Sequence, residues 1–118
     1  MSMELKLVDL LQGRGAKVFP LTAPENEPYP LIVYQIISTL VIRAHEDPVM
    51  DRNRVQVSVW SEKYEVCVAL AGSIRSDLDR NKTDFKLSLL DGMFDTPDPE
   101  PGLYRRVLDF LIWHQEGV

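Results

Sequence analysis

Two histidines, one cysteine and a run of acids are the residues of this 118-residue chain that could do chemistry. His45 lies in a charged stretch and His114 near the end of the chain. Neither has an acid–base partner close in sequence, so each reads as a solvated or rim residue. Cys67 would need a neighbouring base and an electropositive setting to act as a nucleophile. It falls instead on an apolar helical stripe and reads as a core thiol. One cysteine and two histidines cannot make the usual Cys/His zinc site. Asp91, Asp95, Asp98 and Glu100 offer calcium-type oxygens, but their spacing does not match an EF-hand loop. Pro97, Pro99 and Pro101 stiffen that segment, which reads as a solvated turn. Gly13-Arg14-Gly15 is too short for a phosphate loop and follows a helix rather than a strand. Arg52 with Arg54, and Arg105 with Arg106, are basic pairs set among acids. They read as surface charges or intersubunit ion pairs rather than phosphate ligands. The sequence therefore predicts no catalytic residue, no cofactor and no metal.

The net charge of −5 argues against a surface built to grip phosphates. With 45% hydrophobic and 26% charged residues, a folded chain is expected rather than a disordered one. A single domain spanning residues 1–118 can bury a core without disulfides. A lone cysteine suits a reducing compartment. No apolar run approaches the length of a bilayer span, and the first residues lack a secretory pattern. The expectation is a soluble, cytoplasmic protein with no membrane contact.

The elements that would position these residues are organised around residues 54–80. Val55, Val57 and Val59 alternate with Gln56, Ser58 and Trp60, the period of a half-buried strand. The period then becomes helical: Val66, Leu70, Ile74 and Leu78, widened by Cys67 and Ala71. Ser61 is placed to cap that helix, with Glu62 and Glu65 in its first turn. Leu5, Leu7, Val8, Leu10 and Leu11 predict a short amphipathic helix over residues 3–12, stopped by Gly13 and Gly15. Residues 17–19 read as a brief edge strand. Four prolines between positions 20 and 30 make an extended connector. Residues 31–43 read as a long strand, apolar on both faces near its start. The charged residues 44–53 read as a protruding loop. Residues 81–84 form a turn, and residues 85–94 a strand broken near Asp91-Gly92. Residues 95–102 form a turn-rich loop. Residues 103–115 close the chain as a strand with Leu108, Phe110 and Ile112 on one face and Val107, Leu111 and Trp113 on the other.

The sum is an α+β fold, a mainly antiparallel sheet of about four to five strands with two helices packed on it. Two short helices on one face would leave apolar side chains on the other, and such a face is a partner surface. Trp60, Leu111 and Trp113 are the apolar candidates; the alternative for each is burial under the N-terminal helix. Glu46, Asp47, Arg52 and Arg54 are candidates for contacts made by the loop, with solvated charge as the alternative.

Several stretches in order resemble one family. The run Lys17-Val18-Phe19-Pro20-Leu21-Thr22-Ala23-Pro24, followed by Pro28-Tyr29-Pro30 and residues 31–38, is similar to the start of small tail-completion proteins of tailed bacteriophages and prophages. Residues 54–61, Tyr64 and the helix over residues 69–78 resemble their middle. The acidic loop at Asp95 and the ending 103–114 resemble their close. The resemblance implies a structural virion assembly protein of the tail-completion or tail-terminator kind. Its subunits would form a ring, commonly a hexamer, at the head-proximal end of the tail. The implied partners are further copies of the chain, the tail-tube protein and the head–tail connector. DNA would pass through the ring without sequence-specific binding, and a neutral or acidic wall would let it slide. Solubility alone also accounts for the charge. The implied location is the host cytoplasm during assembly and then the virion tail. Residues 44–53 are expected to be mobile in the monomer and to order on assembly. The alternatives are a head-closure or other connector component, or a small non-catalytic cytoplasmic α+β binding module.

Overall fold

The computed structural model describes residues 2–43, 50–96 and 100–115. Helix α1 (Met3–Leu11) starts where the Ser2 hydroxyl accepts the Leu5 N–H at 3.2 Å, an N-cap. It ends as predicted, with Gly13 and Gly15 at φ of +80° and +79°, a region that favours glycine. Strand β1 (Lys17–Pro20) is short. It is followed by β2 (Leu31–Ile42), β3 (Met50–Ser61), α2 (Tyr64–Leu78), β4 (Leu87–Thr96) and β5 (Tyr104–His114). One five-stranded sheet runs in the order β1-β2-β3-β5-β4. The β1–β2 pair is parallel, and the other pairs are antiparallel. The fold is the expected α+β one.

The strand-to-helix unit places the core. Val55, Val57 and Val59 are fully buried on one face of β3, and Ile32, Tyr34, Leu108, Phe110 and Ile112 continue that face across the sheet. Leu7 and Leu11 of α1, and Cys67, Leu70, Ala71, Ile74 and Leu78 of α2, pack onto it. Both helices therefore cover the same side. Arg14 ties them together: its guanidinium donates to the Leu10 carbonyl at 2.7 Å, to Asp77 Oδ2 at 2.5 Å and to the Ser73 hydroxyl.

Several boundaries differ from the sequence expectation. Residues 50–53 are not loop: they extend β3, pairing with β2 throughout and with β5 from Asp51 onward. Asn53 makes this possible. It is buried, accepts from Thr39 Oγ1 at 2.7 Å and donates to the Ile112 carbonyl at 3.3 Å, so a polar side chain sits in the ladder without an orphaned group. The remaining loop residues 44–49, with His45, Glu46, Asp47 and the expected mobility, lie outside the described residues.

Ser61 does not cap α2. It ends β3, and its hydroxyl accepts the Lys63 N–H at 3.1 Å; Lys63 occupies the N-cap without a side-chain bond, and Glu62 precedes the helix. The helix stops at Leu78, and Arg80 turns the chain with a φ of +63°, its backbone N–H donating to the Ser88 carbonyl at 2.6 Å. The expected break at Asp91-Gly92 is a register shift between Leu90 and Gly92, where one extra residue is inserted without ending β4. Phe85 precedes that strand yet is buried, and His114 meets it edge-to-face at 6.2 Å. His114 is itself 4% exposed, so it is a packed residue and not a rim one.

Candidate functional site

The register of the sheet gathers the candidates. Even-numbered residues of β3 point away from the helices: Arg52, Arg54, Gln56, Ser58 and Trp60. Opposite them on β5 stand Trp113, Leu111, Asp109, Val107 and Arg105. Trp113 lies between Arg52 and Leu87 of β4, and Leu111 between Arg54 and Leu89. Trp60, Leu111 and Trp113 are half-buried and Arg52 and Arg54 exposed on this helix-free face. Packing under α1 is thereby ruled out for the three apolar candidates, since α1 sits on the opposite side. The acids Glu46 and Asp47 fall in the undescribed stretch.

At one end of the face the prolines of residues 20–30 have a use. Residues 21–29 fold over Leu31, Val33 and Trp60 and leave a cleft of about 530 Å³ between them and the sheet. The Arg105 guanidinium caps the Trp60 ring at 5.0 Å and donates to the Ser58 hydroxyl at 3.0 Å. Lys17 pairs with Glu27 at 3.1 Å beside it. Arg105 was legible only as half of a basic pair. The structure sends its neighbour to the other face, where Arg106 Nε donates to Asp95 Oδ1 at 2.7 Å. Tyr64 joins them, donating to Asp95 Oδ2 at 2.9 Å. The hydrogen bond from Arg106 holds the Asp95 carboxyl below its ordinary range. This cluster fastens the start of α2 to β4 and β5.

The middle and far end of the face stay open. Leu40 and Ile42 of β2 and Phe94 of β4 point the same way as Trp113 and are exposed. None was singled out from sequence, because exposure of a strand side chain depends on whether a neighbour covers it. The signal that was present is the stretch from Leu31 to Ile42, which has no charge and no proline.

Cys67 is buried, its thiol placed against the carbonyls of Val59 and Tyr104 at 3.6 and 3.5 Å, and burial pushes its pKa up. Among the described residues, no group of three or more His, Cys, Asp or Glu side chains is placed to hold a metal. No helix among them is long and apolar enough to cross a membrane.

A family model described as tail completion protein gp17 matches residues 6–115. Among solved structures, the chain is similar to one from the virion of a native gene transfer agent particle. The TM-score is 0.62 at 13% identity, over 91% of this chain and 82% of that one. At that identity the likeness is one of fold. No curated protein matches the sequence.

Proposed function

This chain belongs to the tail completion protein gp17 family, and from that premise we propose that it is a structural subunit completing the head-proximal end of a phage tail as a ring of identical copies. The observation that carries the reading is the sheet face left bare by both helices. Trp60, Leu111 and Trp113 lie on it beside Arg52 and Arg54. An apolar face of this kind on a soluble chain is a surface for assembly. The occurrence of a similar fold in a virion particle fits the same reading.

In this role the ring contacts the tail-tube protein on one side and the head–tail connector on the other. It forms in the host cytoplasm and remains in the virion. DNA passes through it, and a chain of net charge −5 gives the lumen little hold on a polyanion. The work is done by shape and surface, without catalysis.

Light scattering coupled to size exclusion tests the proposal across a concentration series. The expected result is a concentration-dependent shift to a closed oligomer, blocked by Trp113→Arg and by Leu111→Asp. A single-chain mass at every concentration, with no binding to added tail tubes, would overturn it.

A further inference from the structure

We propose that the distal edge of β2 pairs with the distal half of β4 from a second copy of this chain, continuing one sheet from subunit to subunit. The proposal rests on the assembly reading above and supplies the contact that reading leaves open.

The two edges of the sheet are each closed over part of their length and bare over the rest. On one side β1 covers residues 31–34 of β2, and the Leu21 N–H closes this stretch by donating to the Tyr34 carbonyl at 2.8 Å. From residue 35 to 42 no described strand lies beside β2. On the other side Asn81 bridges Ser88, and Asp79 Oδ1 accepts the Leu90 N–H at 2.9 Å. These bonds close the first half of β4, and residues 92–96 have no strand outside them among the described residues. Soluble proteins usually protect a long edge with charge, proline or a bulge. Residues 35–42 of β2 have no charge and no proline, and their one irregularity lies between Ile36 and Ser38.

The two bare edges fit each other. β2 and β4 run antiparallel within the subunit's own sheet, so a copy set alongside in the same orientation offers an antiparallel partner. Placing Leu40 opposite the copy's Phe94 sets Val41 opposite Met93 and Thr39 opposite Asp95. Leu40 and Phe94 both lie on the helix-free face, and Val41 and Met93 both lie on the helix side. All four are exposed in the single chain, by 51%, 48%, 44% and 39% respectively. Two pairs of exposed apolar side chains thus meet, one on each face, with the pleats in phase, and Ile42 falls opposite Gly92.

The positions of the two gaps also suit a ring. Within one subunit Leu40 is level with Leu87, through Arg52 and Trp113. Setting it against Phe94 of the neighbour shifts that neighbour along the strands by about 20 Å. Each repeat is four strands across, about 19 Å. The resulting slope, about 45°, lies at the upper end of the strand tilt that closed barrels use. A two-fold pairing of β2 with another β2 would close a dimer and leave the open half of β4 bare.

Disulfide trapping in the full chain tests this. In the proposed register Leu40 and Phe94 form the closer, non-hydrogen-bonded kind of pair, about 4.5 Å between Cα atoms, which a disulfide spans. The double variant Leu40→Cys with Phe94→Cys, oxidised under native conditions, is expected to give a ladder of covalent multimers on a non-reducing gel. Either single variant is expected to give none, since Cys67 is buried. Val41→Lys is expected to abolish the oligomer while leaving circular dichroism and melting of the single chain unchanged. A closed oligomer by light scattering with no ladder overturns the edge pairing and leaves the assembly reading intact. A single-chain mass throughout, also without a ladder, counts against both. A covalent dimer from Leu40→Cys alone assigns the edge to a β2–β2 pair and overturns the proposal.

Discussion

The guanidinium of Arg105 lies 5.0 Å above the Trp60 ring while its Nη2 donates to Ser58 at 3.0 Å, so neighbouring strands lock the one tryptophan that sits under the proline-rich segment. A cation over an indole face is worth about 0.5–1 kcal/mol at a partly exposed site. On a Trp113→Phe background, Arg105→Ala should make Trp60 fluorescence more easily quenched by acrylamide. A neutral quencher is needed, because removing the cation would itself repel less or attract less of a charged one. Unchanged quenching would mean that residues 21–29 alone shield the ring.

The two faces of β5 should respond differently to truncation. Phe110 is fully buried under the helices, so Phe110→Ala should lower stability by about 3–5 kcal/mol in a denaturant titration. Leu111, next in sequence, is half-buried on the helix-free face, and Leu111→Ala should lose well under half of that. Equal losses would mean that the helix-free face is packed in the free protein.

Asn53 should be sensitive despite being polar. Asn53→Ala removes the donor to the Ile112 carbonyl and the acceptor for Thr39. The main-chain ladder stays in place, and losing a side-chain hydrogen bond of this kind costs about 0.5–1.5 kcal/mol. Denaturant midpoints should fall accordingly, and Asn53→Asp should not rescue, since a carboxylate cannot donate.

Tyr34 should titrate late. Burial first, and then its hydrogen bond to Glu4 Oε2 at 2.8 Å, push its pKa up to about 12. The folded state therefore holds this proton more tightly than the unfolded chain does. The associated stability is present below the ordinary tyrosine value near 10 and is lost as pH rises toward 12. Ultraviolet titration of phenolate should show one of the four tyrosines delayed, and Glu4→Gln should bring it earlier without restoring the ordinary value.

Much of this architecture was already legible in the amino-acid order. The switch from Val55-Val57-Val59 to Val66-Leu70-Ile74-Leu78 placed β3 and α2, because side-chain period follows directly from backbone geometry. The same alternation separated Phe110 from Leu111 and predicted a face bearing Trp60, Leu111 and Trp113. Boundaries were less legible. Asp51, Arg52 and Asn53 look like loop because they are polar, and only pairing on both sides makes them strand. His114 looked peripheral because the sequence does not say that Phe85, lying outside its strand, comes to rest beside it.

Local order by itself determined which residues share a face and that the chain would make an α+β sheet with an apolar surface to spare. Only the tertiary structure decided which side both helices cover, and so which apolar residues remained uncovered. It also decided where Asp79 and Asn81 close β4 and where β1 stops along β2. Periodicity is a property of neighbours in the chain, whereas an open edge depends on which distant segment lies beside a strand.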